Sequence, residues 1–178
     1  MWTSFVAMDA SNRALISLVV SAALLSGVAV DGCSLAASPQ PGRAVSVGGE
    51  VTVADVTWRI LDVRRTPYLA KRFAGQTRAD GIFILLDVRA QRQSQAGAIS
   101  WKPLSISDSQ HHQFDVDAGA LVALDEAALK PLATSHILPK TPVEGWIVFD
   151  VPRDARGLRL KILDMDGVDD DYAFIRLP

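Results

Sequence analysis

The amino-acid sequence predicts an all-β fold, an antiparallel β-sandwich of about seven strands with one short helical insertion. Two observations lead to this prediction. After residue 50, short apolar segments rich in β-branched and aromatic residues alternate with polar turns, which is typical of sandwiches. Strand and helix patterns do not alternate along the chain, so a parallel sheet is disfavoured.

The first strands are predicted at residues 51–53 and 56–63, with a turn or bulge between them. Residues 64–80 are polar and basic and contain a proline and a glycine, which predicts a loop. Residues 81–90 form the clearest strand, because alternate positions are apolar on one face. We therefore expect this segment to be a central core strand.

The middle of the chain is less regular. Residues 99–107 have an apolar pattern that contains Pro103, which predicts an edge strand because proline lacks an amide hydrogen. Residues 108–117 are predicted to be a polar connection. Residues 118–132 alone have helical composition, and Pro131 is expected to end that helix.

The last part of the chain returns to strands. Apolar segments occur at residues 145–151, 158–163 and 172–177, separated by polar or acidic turns. Strands at such short spacing predict an antiparallel meander.

The N-terminus has the pattern of a signal peptide, predicted to span residues 1–32. Arg13 precedes an uncharged apolar run at residues 14–30, which is short for a membrane span and suited to a signal sequence. The run leads to Gly32 and Cys33. This junction resembles the bacterial lipobox, in which a small residue precedes a cysteine that is lipidated after cleavage, although an aspartate stands before the glycine here.

Cys33 is the only cysteine, which excludes an internal disulfide. Lipidation is the favoured interpretation; a conventional or uncleaved signal and a buried structural cysteine are the alternatives. Residues 33–49 are rich in Ser, Ala, Pro and Gly, which predicts a flexible tether before a domain at residues 50–178. We therefore expect a lipoprotein of the cell envelope, anchored to a membrane and facing the periplasm or the exterior, with a soluble secreted protein as the alternative.

The composition of the chain limits the classes of partner that it is expected to bind. The formal net charge is −2, and acidic and basic residues are mixed along all 178 positions. Such a chain has no extended basic field, so nucleic-acid binding is not expected. No cofactor is predicted.

Several strand segments carry a family resemblance in their order along residues 47–177. They are Trp58 in an apolar strand, residues 81–88, residues 106–108 leading to Phe114, and residues 146–152. This order resembles bacterial surface and secreted proteins with an immunoglobulin-like domain of unassigned function, related to the immunoprotective secreted antigens. Its most specific part is the Val-Phe-Asp-Val-Pro run at 148–152, and residues 118–142 depart from the pattern. The resemblance implies an immunoglobulin-like sandwich and no catalytic residues.

Possible metal ligands occur in one polar segment and at one distant position: Asp108, His111, His112, Asp115, Asp117 and His136. Histidines with carboxylates can bind zinc or copper. Adjacent histidines on a strand point to opposite faces, however, and stable sites need three or four converging ligands. A solvated polar loop is therefore favoured over a metal site at His111 and His112.

The acidic turn at residues 164–171 contains Asp164, Asp166 and Asp169. Its spacing excludes an EF-hand, because Gly167 is fourth in the turn, whereas an EF-hand loop has its glycine at the sixth position. A weak extracellular calcium site stays open as an alternative. A charged hairpin turn is the favoured interpretation.

A basic segment is the best candidate for binding a partner. Cationic and aromatic side chains lie close together in it: Arg64, Arg65, Tyr68, Lys71, Arg72 and Phe73. Such a combination suits an acidic envelope protein or a polyanionic envelope polymer, although a solvated loop is the simpler interpretation. We therefore expect a non-enzymatic binding or adhesion-type module, with a metal-handling or hydrolytic envelope protein using His111 and His112 as the alternative.

Overall fold

The computed structural model describes residues 44–70, 75–166 and 171–178. The predicted signal peptide, Cys33 and most of the tether therefore lie outside the described residues. Within those ranges, no helix has the length and apolar character needed to span a membrane.

The described part of the chain is built almost entirely of strands, with one short helix. In chain order the elements are β1 (Val45–Ser46), β2 (Glu50–Val53), β3 (Val56–Ala70), β4 (Gln76–Arg92), β5 (Gly97–Ile99), β6 (Leu104–Ser107), β7 (Gln113–Asp115), α1 (Ala118–Glu126), β8 (Ser135–Ile137), β9 (Pro142–Val151), β10 (Arg159–Leu163) and β11 (Tyr172–Arg176).

These strands form two main sheets. The four-stranded sheet has the order β2-β3-β4-β9, and the five-stranded sheet has the order β1-β11-β10-β6-β7. All neighbouring strands are antiparallel except β1 and β11. A small third sheet pairs β5 with β8. The predicted antiparallel β fold with one short helix is confirmed.

The main core contains buried side chains from both sheets. Alternate residues of each strand point inward, as the two-residue period of a strand requires. From the four-stranded sheet they include Trp58, Ile60, Leu86, Ile147 and Phe149, and from the five-stranded sheet Ile106, Leu160, Ile162 and Ile175.

A second apolar cluster lies on the outer face of the four-stranded sheet, where α1 covers it. Ala120 and Leu124 of the helix are buried in the same cluster as Phe83, Leu85 and Val148 of β4 and β9. This explains why residues 83–86 of β4 are buried on both faces. The prediction of a central core strand at residues 81–90 is thus confirmed, with one face in each cluster.

The helix begins and ends by local hydrogen bonding. An Asp117 side-chain oxygen accepts a hydrogen bond from the Ala120 amide at 2.9 Å, the N-cap geometry. At the other end Ala128 has a φ of 59°, and the Leu129 amide donates to the carbonyl of Leu124. The helix therefore stops before Pro131, which was predicted to end it.

Residues 64–70 and 76–80 are strand, contrary to the prediction of a loop over 64–80. They extend the pairing of β3 with β4, with Tyr68 paired to Arg78 and Leu69 to Thr77. Proline is accommodated because the register shifts between Thr66 and Tyr68, and a bulge removes the need for a ladder hydrogen bond there.

Two other expectations are wrong. Pro103 lies in the turn between β5 and β6, and β6 pairs on both sides, with β10 and β7, so it is not an edge strand. The last three strands do not form a meander, because β9 belongs to the four-stranded sheet and only β10 and β11 pair with each other. The turn after Pro152 carries the chain from one sheet to the other.

Candidate partner-binding surface

The outer face of the five-stranded sheet carries cationic and aromatic side chains on its two central hairpin strands. In β10, Leu160 and Ile162 are buried while Arg159 and Lys161 alternate with them. In β11, Ala173 and Ile175 are buried, whereas the positions between and beside them are partly or fully exposed. Besides Leu163, the outward residues of these strands are cationic or aromatic, and we call these five the cation–aromatic face; they are Arg159, Lys161, Tyr172, Phe174 and Arg176.

The aromatic rings of this face contact its cations. The Arg159 guanidinium lies 5.4 Å from the Phe174 ring centroid, and the Lys161 ammonium lies 5.5 Å from that of Tyr172. The two rings meet edge to face, with centroids 5.6 Å apart. Cation–π contacts of this kind hold the charged groups in place without neutralising them.

The charge of the face is unbalanced. Arg159 stands directly opposite Arg176 in the strand register, and like charges at such positions repel. In the described part of the chain, no carboxylate lies within 4 Å of Arg159, Lys161 or Arg176, whereas each of four other arginines pairs with an acidic side chain. Those four are Arg59, Arg64, Arg89 and Arg92.

The register also aligns polar side chains across the whole sheet. One residue from each strand lies in a single row, in the order Gln113, Ser107, Arg159, Arg176 and Ser46. Neighbouring strands are about 4.8 Å apart, so this polar row is about 19 Å long. Beside it, the Ser105 hydroxyl is buried and has no hydrogen-bond partner among the described residues.

The sequence prediction of a binding segment does not include these residues. A usable signal existed, since cationic and apolar residues alternate through 158–163 and aromatic and apolar residues through 172–175. Strand composition alone does not tell which exposed face stays uncovered.

The predicted basic segment is divided by the structure. Arg64 bonds Asp62 at 2.8 Å and lies over the Trp146 ring at 4.5 Å, while Arg65 donates to a main-chain oxygen of Pro178. Adjacent residues of a strand point to opposite faces, so the two arginines do not form one surface. Tyr68 is 48% exposed. Lys71, Arg72 and Phe73 lie outside the described residues.

The predicted histidine segment forms the turn between β6 and β7. An Asp108 side-chain oxygen lies 2.9 Å from His112 Nδ1, and its other oxygen accepts the amide hydrogens of Gln110 and His112. Burial alone would raise the pKa of Asp108, but these hydrogen bonds outweigh it and hold the pKa below its ordinary value. His111 is exposed with a φ of 67°, and His136 lies in β8.

Asp108 therefore shapes this turn. Across the described ranges, no group of three or more His, Cys, Asp or Glu side chains is placed to hold a metal ion. The metal and hydrolase alternatives gain no support from this geometry.

The acidic turn is tied to a buried arginine. Arg92 is 4% exposed and donates two hydrogen bonds to the Asp166 carboxylate, at 2.8 and 3.0 Å. The hydrogen bond with Asp166 is the main reason that the pKa of Arg92 is raised. An Asp164 side-chain oxygen accepts the Asp166 amide hydrogen at 2.9 Å, and Asp169 lies outside the described residues. A calcium ion at Asp166 would have to compete with this guanidinium.

A cleft of about 580 Å³ lies beside the start of the β4–β9 pairing. It is lined in part by Asp117, Asp150 and Arg153. These side chains are already bonded to the main chain: Asp117 caps α1, Asp150 accepts two amide hydrogens, and Arg153 donates to the carbonyl of Gly81. The polar groups of the cleft thus have structural roles.

Asp87 is the described carboxyl group whose pKa is raised. Burial is the largest cause, followed by the charges of Glu144 and Asp62, which outweigh Arg64 and Arg89. Shifted carboxyl groups occur in active sites, but this one is explained by its burial and by the neighbouring charges of Glu144 and Asp62. Asp62 is its register partner on β3, and Glu144 lies two positions from its register partner on β9.

No protein-family model and no curated protein matches the sequence. Solved bacterial structures share the fold. The YjhA protein of Bacillus subtilis aligns with a TM-score of 0.57 at 12% identity, over 75% of this chain and 99% of its own. The secreted protein MPT63 of Mycobacterium tuberculosis aligns with a TM-score of 0.55 at 11% identity, over 76% and 99%.

A third similar structure is a candidate lipoprotein of Bacillus subtilis, YcdA. It has a TM-score of 0.51 at 15% identity, and the alignment covers 72% of this chain but 38% of YcdA. Similarity at such identities shows the fold alone. The resemblance to secreted bacterial β-sandwich proteins therefore holds at the level of architecture.

Proposed function

We propose that this protein is an exported, non-enzymatic binding module of the bacterial cell envelope, held at a membrane by a lipidated Cys33. The apolar run and the Gly32-Cys33 junction support the anchor. The similarity of the fold to a secreted protein and to a candidate lipoprotein is compatible with export. Two hydrophobic chains on one cysteine would give stable anchoring.

The observation that carries the binding function is the difference between the two outer sheet faces. The helix α1 covers part of the outer face of the four-stranded sheet. No described element covers the cation–aromatic face, and its Arg159, Lys161 and Arg176 have no acidic partner among the described residues. An acidic partner from the envelope would complement this surface.

The anchor is tested by mass spectrometry of the protein purified from bacterial membranes. We expect an N-terminal Cys33 that carries a diacylglyceryl group, and the variant Cys33→Ala should be released from the membrane fraction. A free thiol on Cys33 in the wild-type protein would refute the anchor.

The binding function is tested by co-sedimentation of the purified full chain with detergent-washed envelope fragments. The double variant Arg159→Gln/Arg176→Gln should sediment less than the wild type. The double variant Lys130→Gln/Lys140→Gln removes the same charge from exposed positions elsewhere and should sediment normally. A quadruple variant of Arg64, Arg65, Lys71 and Arg72 to Gln tests the basic segment as the alternative surface. No retention of any of these proteins would overturn the proposal.

A further inference from the structure

We propose that the cation–aromatic face binds a linear anionic glycan, which lies across the strands along the polar row. This inference rests on the proposed binding function and adds the chemical class of the ligand. The row offers what such a polymer needs. Arg159 and Arg176 are register partners at its centre, and residues with hydroxyl or amide side chains, Ser46, Ser107 and Gln113, lie on both sides.

The central arginine pair indicates that the ligand carries negative charge. Arg159 and Arg176 are register partners, so their charges repel while no anion is present. A carboxylate or phosphate between them would accept hydrogen bonds from both guanidinium groups and remove the repulsion. The Arg159 guanidinium lies over the Phe174 ring, 5.4 Å from its centroid, and Phe174 is two positions from Arg176 along the same face of β11.

The shape of the face favours a narrow polymer over a membrane. Tyr172 and Leu163 are partly exposed at one end of the hairpin, at 37% and 41%, and could enter a lipid surface. However, Asp171 lies next to Tyr172 at that end of β11. Its charge would repel an anionic bilayer wide enough to cover the face, whereas a chain along the polar row lies at the opposite end of the strands.

The same geometry disfavours an extended acidic peptide. Such peptides gain affinity by adding a strand at a sheet edge, where main-chain groups are unpaired. At the polar row both central strands are paired on both sides, Arg159 with Ser107 and Arg176, and Arg176 with Arg159 and Ser46, so no free main-chain edge runs along the row. The polar row offers side-chain donors, which suit ring hydroxyls and acid groups of a glycan.

The test measures binding of the purified full chain to an oligogalacturonate, with a neutral dextran of similar length as the control ligand. We expect binding of the oligogalacturonate that weakens as salt is added, because the contact is ionic and exposed, and no binding of the dextran. The variant Arg159→Gln/Arg176→Gln should raise Kd by about tenfold or more. The matched variant Lys130→Gln/Lys140→Gln should leave Kd unchanged, and the circular dichroism of both variants should match the wild type.

Each other outcome refutes the inference. If the two arginine changes leave Kd unchanged, the glycan does not bind at this face. If poly-glutamate binds more tightly than the oligogalacturonate, the partner is an acidic peptide. If phosphatidylglycerol vesicles bind more tightly, and Tyr172→Ser removes that binding, the partner is a lipid surface. Failure of the oligogalacturonate while envelope fragments still retain the wild type would refute the glycan and leave the binding function intact.

Discussion

At Asp150 the carboxylate accepts hydrogen bonds from two consecutive main-chain amides, those of Asp80 at 2.7 Å and Gly81 at 3.0 Å. These amides precede the point where β4 begins to pair with β9. A Cβ atom at position 81 would lie 2.0 Å from the carbonyl oxygen of Val151, so β4 and β9 approach each other very closely here. Asp150 therefore fixes the start of the long pairing, which gives the Val-Phe-Asp-Val-Pro run a structural role.

The change Asp150→Ala should lower the free energy of unfolding by about 1–3 kcal/mol, because it leaves two amides without their acceptor. Urea denaturation at neutral pH measures the loss. The change Asp154→Ala serves as the control, since Asp154 is exposed in the following turn and should cost little. Equal losses in the two variants would contradict this role of Asp150.

The pair of Arg92 with Asp166 allows a second residue-level test. The arginine is buried, and besides Asp166 it reaches only Asp55 at 3.7 Å and the carbonyl of Ala98 among described groups. Each of Arg92→Met and Asp166→Asn should destabilise the fold. The double variant should cost less than the sum, with a coupling energy of about 0.5–3 kcal/mol, because neither partner is then left uncompensated. Additive free energies in denaturant titrations would show that the pair is not coupled.

At the scale of elements, α1 closes the second apolar cluster. Leu124 is fully buried between the helix and the four-stranded sheet, while Val122 on the same helix is 72% exposed. We expect Leu124→Ala to lower the free energy of unfolding by about 2–5 kcal/mol. Val122→Ala is the matched control and should change it by no more than about 0.5 kcal/mol. Similar effects of the two substitutions would mean that the helix does not hold this cluster.

The local sequence pattern was sufficient to predict the strands in which apolar residues alternate with other residues. The sequence predicts residues 81–90 and 172–177 as strands; in the structure residues 81–90 lie within β4, and β11 covers residues 172–176. It misses the continuation of β3 through residues 64–70 and of β4 through residues 76–80, because the many polar residues there are held by strand pairing. Pairing partners across a hairpin are tertiary information that local composition does not contain.

The same limit applies to the candidate site. The alternation in residues 158–163 shows which side chains of a strand share a face, but not that Arg159 lies opposite Arg176, nor that Ser46 and Gln113 extend the row. Those relations follow from the strand order of the sheet. Conversely, Arg64 and Arg65 are adjacent in sequence but point to opposite faces of β3. Closeness along the chain is therefore not enough to place two side chains on one surface.

At the scale of the whole molecule, the two sheets differ in what they present to solvent. The four-stranded sheet uses part of its outer face for a second apolar cluster under α1, and three of its arginines, Arg59, Arg64 and Arg89, pair with carboxylates. The five-stranded sheet contributes its inner face to the main core and presents the cation–aromatic face outward. If the proposed binding function is correct, the outer face of the five-stranded sheet serves recognition, while that of the four-stranded sheet contributes to stability.

The stability of the whole fold at acidic pH should depend mainly on two carboxylates, those of Asp55 and Asp108. At Asp55, burial raises the pKa, but hydrogen bonds from Ser94 and Gln95 and the charge of Arg92 outweigh it and lower the pKa below its ordinary value. The pKa of Asp108 is lowered in the same way by His112 and Gln110. A group whose pKa is lower in the folded than in the unfolded state stabilises the fold above its unfolded pKa. That stabilisation is lost as the pH falls through the folded pKa.

We therefore expect Asp55→Asn/Asp108→Asn to have a lower Tm than the wild type at about pH 6, and the difference to shrink as the pH falls and the wild-type carboxylates become protonated. The expected effect of Asp87 on stability is the opposite. Its pKa is raised, so its charged form opposes folding, and Asp87→Asn should raise Tm at about pH 6. Thermal melts of the three proteins across this range measure both effects. A Tm difference between the wild type and the double variant that stays constant with pH would show that these carboxylates do not control acid unfolding.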